Sequence, residues 1–381
     1  MATALVNGRI LLDDRFVDDK AVLIDASRIQ AIVDAADVPA GLERYDLGGG
    51  LLVPGFVDTQ VNGGGGVLFN DAPTVETIRI IGAAHRSFGT TGFLPTLISD
   101  DLRVIRAGIE AVDAAIAEHV PGVLGIHIEG PFLNEKRKGI HEADKIRVLD
   151  EEGFAVLTSA KSGRTVVTIA PERTSSPMIL RLVEAGVVVS AGHSEATYEQ
   201  MKEAIAAGLS GVTHLFNAMT QLTSREPGVV GAALEDDGVW CGIIVDGHHV
   251  HPASLKLAQR CKPVDKVMLV TDAMPSVGAD AGHFILQGKR INVRDGACRD
   301  ATGRLAGSHL NMVSAVRNAV AMLGVPTAAA LRMASAVPAA FLGQGDRLGA
   351  IAPGYQADLV LLGDDFVVED SWISGKRPSH R

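Results

Sequence analysis

Aromatic residues are scarce, with Phe, Trp and Tyr together making up 4% of the 381 residues. That argues against a surface built to stack bases or sugar rings. Positive charge is in deficit as well. Lys and Arg number 35 against 45 Asp and Glu, a formal net charge of −10, and such a field repels nucleic acid. An anionic small ligand would need a local cationic pocket. Only three cysteines occur, Cys241, Cys261 and Cys298. Their number is odd and none is spaced C-x-x-C, so neither a disulfide framework nor a cysteine zinc site is expected. A reducing cytoplasm fits that usage. The opening MATALVNGRI has no basic stretch leading into a long apolar run, so no signal peptide is expected, and no apolar stretch is long and charge-free enough for a membrane span. Walker A and GxGxxG loops are absent. The four glycines from Gly63 to Gly66 are not followed by Lys or Ser/Thr and are weak evidence of a phosphate loop.

What is present is a core and a rhythm. Hydrophobic residues make up 47% of the chain and glycines number 42, enough apolar mass for a large domain and enough freedom for many tight turns. The first ~50 residues read as short strands separated by Gly8 and by Asp pairs. Eight apolar, β-branched runs follow: LLVPGFVD (51–58), GFLPTLI (92–98), VLGIHIE (123–129), TVVTIAP (165–171), VVVSAGH (187–193), GVTHLFN (211–217), WCGIIVD (240–246) and VMLVTDA (267–273). Helical periodicity fills most gaps, as in APTVETIRIIGAAHRSFG, DLRVIRAGIEAVDAAIAEH and SEATYEQMKEAIAAG. The alternation predicts an α/β fold, a (β/α)8 TIM-like barrel. HFILQGKRINVRDGACRDATGRLAGS reads as an inserted β-hairpin near 283–306, and the tail returns to short strands. The simplest closure is a small β-sandwich domain from 1–52 plus 349–381 beside a catalytic barrel over 53–348.

Barrel enzymes gather reactive groups at the C-terminal ends of the strands. The polar residues at those ends are Asp58 and Gln60, Glu129, His193, His214 within run six, Asp246 and His249, and Asp272. One carboxylate and two imidazoles, Glu129, His193 and His214, make a three-ligand metal set with an open position, which draws the pKa of water towards neutrality. Asp272 is then placed as general base. Taken singly, a strand-end His is commonly structural and Asp272 could cap a helix. A carboxylate on an apolar strand is harder to explain without a partner, and the four together point to a metal-dependent hydrolase. His127, two residues before Glu129, either shares its face or packs behind it. His141, His248, His249 and His251 crowd nearby, and His85, His119, His283, His309 and His380 read as ordinary surface or helix residues.

The strings PGFVDTQVNGGGG, HIEGPFLN, KGIH, SAGHSEA, THLFNAM, TSREPG, DGHHVHP and LVTDAMP, in that order, closely resemble the N-acetylglucosamine-6-phosphate deacetylases of the amidohydrolase superfamily. The resemblance runs over nearly the whole chain. It implies the following roles. Glu129, His193 and His214 are the metal ligands, and Asp272 is the catalytic acid/base. His141 helps polarise the substrate carbonyl. Asn217 and Ala218 are a substrate-binding backbone segment. Arg225 and His249 bind the sugar phosphate, with Arg225 donated by the neighbouring subunit of a homodimer. Ala306 and Gly307 line the sugar site. Many superfamily members carry H-x-H after the first strand, where this chain has Gln60 and Asn62. Neutral amides are poor ligands for a borderline metal, so one divalent ion per subunit is expected, with Gln60 left to hydrogen-bond the water or the substrate, or simply to orient the loop. Zinc suits the ligands; Fe2+, Co2+ and Mn2+ fit the same set. The implied activity is deacetylation of N-acetylglucosamine 6-phosphate, in amino-sugar catabolism and cell-wall sugar recycling.

Two other readings share part of this logic. Another amidase or deaminase of the superfamily would keep the metal set without the phosphate grip of Arg225 and His249. A non-catalytic sugar-phosphate binding protein would bind without turnover and would have no need of Asp272.

Overall fold

The eight barrel strands are β1 (Phe56–Val61), β2 (Thr90–Ile98), β3 (Gly125–Glu129), β4 (Arg164–Ile169), β5 (Val188–Ala191), β6 (Gly211–Val212), β7 (Trp240–Ile243) and β8 (Val267–Leu269). In the computed structural model, which describes residues 2–378, they form one sheet in sequential order, every pair parallel. All six residues of β1 and all nine of β2 are buried, as befits strands covered on one side by barrel filling and on the other by helices. The ring closes just beyond β8, where the Asp272 amide donates to the Gln60 carbonyl at 3.0 Å and the Asn62 amide to Ala273 at 2.9 Å. Closure therefore seats Asp272 beside β1.

The first apolar run is two strands. Leu51–Pro54 belongs to a terminal sheet, and the barrel strand begins only after Gly55, whose backbone lies so close to Thr91 that a Cβ there would sit 1.9 Å from its Oγ1. Run six is also shorter than its apolar pattern. Only Gly211–Val212 pairs, because His214, Phe216 and Ala218 take φ of 35°, 79° and 51°, which no strand accommodates. His214 therefore lies beyond the strand rather than within it.

Helices form where the periodicity placed them. α1 (Val75–Arg86) is capped by the Thr74 side chain and buries Ile78, Ile81 and His85. α2 (Leu102–Ala117) follows β2. The helix Tyr198–Ala206 opens on a capping box of Thr197 and Gln200. His85, expected to be an ordinary surface or helix residue, is helical but has no exposure. Its Nε2 meets the Gly63 carbonyl at 2.9 Å. His380 lies outside the described residues.

The N- and C-terminal segments interleave. One sheet orders Arg28–Asp34, Lys20–Asp25, Thr3–Val6 and Glu43–Asp46. The other orders Val368–Trp372, Leu359–Leu362, Leu51–Pro54, Arg9–Leu12 and Arg15–Val17. Leu5, Ile10, Val22, Leu52, Leu359 and Trp372 form a core between them. The expected hairpin insertion is a four-stranded antiparallel sheet, His283–Leu286, Lys289–Arg294, Ala297–Arg299 and Leu305–Ser308. Its last strand runs back to the barrel mouth, where the Ser308 amide donates to the Asp272 carbonyl at 2.9 Å. Among the described residues no helix is long and apolar enough to cross a membrane.

Candidate active site

Glu129 is the last residue of β3. His193 and His214 follow β5 and β6 by two residues, and Asp272 follows β8 by three. His193, His214 and Asp272 all have left-handed backbones, with φ of 50°, 35° and 52°. Such conformations cost roughly 1–3 kcal/mol each for residues with a Cβ and persist where the surroundings enforce them, commonly at functional sites.

Three ligand atoms meet at one point. Glu129 Oε1 lies 3.2 Å from His193 Nε2 and 2.9 Å from His214 Nε2, and the two Nε2 atoms are 3.1 Å apart. All three residues are buried, with their ligand atoms within 4.8 Å of one another. His193 Nδ1 lies 2.8 Å from the Arg137 carbonyl, which accepts its proton and turns Nε2 inward. A single proton cannot serve two facing nitrogens and a carboxylate at once; a divalent cation can. Burial alone would raise the Glu129 carboxyl, but the two imidazoles set against it outweigh that and hold it well below the usual range. The set fits a metal by its own chemistry.

Asp272 Oδ1 accepts from Gln60 Nε2 at 3.1 Å and from Asn62 Nδ2 at 2.7 Å. The two amides that stand where H-x-H would be thus hold the carboxylate. Gln60, expected to reach the water or the substrate, is 1% exposed and is engaged with Asp272 beneath the site. Burial, then the charge of Glu129, pushes the Asp272 carboxyl up to about 8. A divalent cation nearby reverses that push. Asp58, expected at the mouth, sits wholly buried within β1 and takes the Thr271 hydroxyl at 2.5 Å.

His141 stands against His193, with ring centroids 4.5 Å apart. Its Nδ1 accepts from the Ser99 amide at 3.1 Å and lies 2.8 Å from the Ser99 hydroxyl, so the neutral ring carries its proton on Nε2. Burial, then the neighbouring His193, pushes the His141 pKa down to about 3. His141 is therefore a neutral N–H donor.

A cavity of about 180 Å³ opens over these groups, lined by Glu129, His141, His193, His214 and Asp272. Asn217, Ala218, His249 and Gly307 line it too. The Asn217 amide donates to the His214 carbonyl at 3.1 Å. His249 Nδ1 lies 2.6 Å from Asp246 Oδ2. Gly307, at φ 58°, has no space for a side chain, since a Cβ would stand 2.6 Å from Met274. Ala306 is fully buried behind the wall with Met274 and Ile98. Arg225 is exposed and does not line the cavity of its own chain. His127 is turned away from the ligands, onto Thr59 and Thr168. Sequence reasoning missed Ser99, whose role depends on a fold contact, and Arg304 and Leu305, which also line the cavity and adjoin the Ala306–Gly307 pair that was singled out.

Comparison with known proteins agrees with this fold. Residues 51–377 match the amidohydrolase family and residues 3–52 the NagA composite domain. An N-acetylgalactosamine-6-phosphate deacetylase of Shewanella sp. (strain ANA-3) is 47% identical over 90% of this chain and 86% of its own. The N-acetylglucosamine-6-phosphate deacetylase of Haemophilus influenzae is 37% identical over 99% of both chains. The crystal structure of the N-acetylglucosamine-6-phosphate deacetylase from Pasteurella multocida superposes with a TM-score of 0.96 at 37% identity, covering 100% of both chains. With a matching model over most of its length and a shared architecture, the chain belongs to the amidohydrolase family.

Proposed function

We propose that this protein hydrolyses the acetamide of N-acetylglucosamine 6-phosphate, giving glucosamine 6-phosphate and acetate in amino-sugar catabolism and cell-wall sugar recycling. The observation that carries the reading is the joining, in one pocket, of three facing ligand atoms, a held carboxylate and a neutral imidazole donor. Glu129, His193 and His214 would hold one divalent ion, zinc by the two borderline imidazoles of the set, with Fe2+, Co2+ and Mn2+ as alternatives. Such an ion supplies Lewis acidity and lowers the pKa of water towards neutrality.

The chain's own residues do the rest. His141 donates from Nε2 to the amide carbonyl oxygen and stabilises the oxyanion that develops there. Asp272, its Oδ1 fixed by Gln60 and Asn62, takes a proton from the attacking water. The carbon–nitrogen bond breaks as Asp272 returns that proton to the leaving amine. Asn217, Ala218 and Gly307 form the sugar wall, backed by Ala306, and His249 and Arg225 take the phosphate. Because Arg225 faces solvent, beside Leu222 at 58% exposure, we place it in the neighbouring active site of a homodimer. The same reading divides the chain into 1–52 plus 349–381 as a small β domain and 53–348 as the barrel, supported by the interleaved terminal strands. It also places the enzyme in the cytoplasm, in keeping with three free cysteines.

A second reading, the C4 epimer N-acetylgalactosamine 6-phosphate as substrate, is favoured by the 47% identity to a deacetylase of that sugar. Acetate release from both sugar phosphates, before and after removal of metal by a chelator, is the test. The proposal expects chelator-sensitive release, faster from the gluco sugar. Faster release from the galacto sugar transfers the assignment to the epimer, and none from either ends it.

A further inference from the structure

The charges around the cavity are unevenly placed. Its inner end holds Glu129 and Asp272, both buried. Arg304 is the one Lys or Arg among the described residues lining it, and it comes from the inserted sheet of the same chain. Arg225, the arginine that the resemblance assigns to the phosphate, lies elsewhere. In a chain of net charge −10, a guanidinium at the rim of a pocket with an acidic floor orients any ligand that carries an anion at one end.

Arg304 is presented on a fixed turn. Asp300 Oδ1 accepts from the Thr302 amide at 2.8 Å, the Thr302 hydroxyl at 2.6 Å and the Arg304 amide at 3.0 Å. Gly303, at φ 86°, supplies the left-handed residue that the turn needs. The guanidinium reaches across to the Gly139 carbonyl at 3.0 Å. Gly139 in turn packs against His193, with room for a Cβ only 3.4 Å from Cε1. No carboxylate forms an ion pair with Arg304 among the described residues. One of its five N–H donors is used, and the planar fork that suits phosphate oxygens is otherwise unspent.

We infer that Arg304 is a specificity-determining residue that binds the phosphate of the substrate from within the same subunit. The inference rests on the proposed function for the identity of the anion. A purely mechanical role, strapping the inserted sheet to the Gly139 loop, would affect all substrates alike.

The experiment uses the full-length, metal-loaded enzyme and the variants R304M and R304K. For each, kcat/KM is measured on N-acetylglucosamine with and without its 6-phosphate, and binding of inorganic phosphate is measured by calorimetry. R304M is expected to lower the ratio of kcat/KM for the phosphorylated over the plain sugar by about tenfold or more, through KM, the size of one charge-assisted contact. It should weaken phosphate binding to a similar degree, and R304K should recover part of both. An unchanged ratio with unchanged phosphate binding overturns the inference, and so does an equal loss on both sugars. If the wild type releases acetate from neither sugar yet binds phosphate through Arg304, the proposed function fails while this inference stands.

Discussion

His127 and Glu129 stand two residues apart on β3, and each is 2% exposed. His127 belongs to a polar cluster in the barrel interior, and every member of that cluster finds a partner in the protein. Its Nδ1 donates to the Thr59 carbonyl at 3.0 Å and its Nε2 accepts from Thr168 Oγ1 at 2.7 Å. Thr168 bonds Thr213 at 2.7 Å, and Thr213 bonds Ser190 at 2.8 Å. Burial pushes His127 down to about 4, so the ring is neutral and the chain of hydroxyls can run in one direction. Glu129 belongs to a cluster in which a carboxylate oxygen and two imidazole nitrogens face one another. Burial is common to both. Only the second cluster needs something from outside the protein, and the contrast teaches that unmet coordination, rather than depth, marks a site.

The largest expected effect tests the active cluster. Asp272→Asn keeps an oxygen for the amides of Gln60 and Asn62 but cannot take a proton. Turnover should fall by about 10²- to 10⁴-fold, with the metal content of the purified protein unchanged. Near-normal kcat would remove Asp272 from the proton transfer. Next, Glu129→Gln replaces a ligand by a neutral amide. Loss of an outer partner of a metal ligand costs 10- to 100-fold in affinity, so loss of a ligand should cost about 10³-fold. Metal analysis after dialysis checks it. A variant that holds its ion like the wild type would mean that the facing atoms are not a metal set.

How much of this contrast was legible beforehand depends on what carries each part. The barrel, and with it the meeting of Glu129, His193, His214 and Asp272, followed from eight apolar runs and the rule that strand ends share one mouth. Side-chain partners did not follow. Asn62 and Asp272 are 210 residues apart, and their bond depends on how the last strand closes on the first. Nothing local in THLFNAM announces three left-handed residues, since His, Phe and Ala carry no turn signal, and run six was read too long. Asp58 was placed at the mouth because it ends an apolar run. The strand in fact continues to Val61, which leaves Asp58 in the interior with the self-satisfied groups.

That placement gives a pH prediction for the inactive side of the comparison. Burial pushes Asp58 up to about 7, against the hydrogen bonds from Thr271 and Gln60. The folded value lies above the unfolded 3.8, so between these limits the folded state binds more protons. Stability should then fall as pH rises from about 4 to about 7 and level off above. The fall attributable to this group is at most about 4 kcal/mol. Asp58→Asn, which preserves an acceptor for the Thr271 and Gln60 amides, should flatten that slope in urea unfolding at pH 5 and pH 8. An unaltered slope would show that Asp58 is ionised in the folded protein throughout.

The smallest effect is the sharpest for the comparison. Thr168→Val conserves volume and strips the one hydroxyl that joins His127 to Thr213. His127 Nε2 loses its donor while buried, at a cost of about 1–3 kcal/mol, to be seen as a lower unfolding midpoint. Thr213 keeps Ser190, so the rest of the ladder holds. Metal content should stay as in the wild type and kcat within about twofold, because no ligand of the upper cluster leans on Thr168. If Thr168→Val instead empties the metal site, the two clusters are one network, and His127 supports Glu129 through the strand they share.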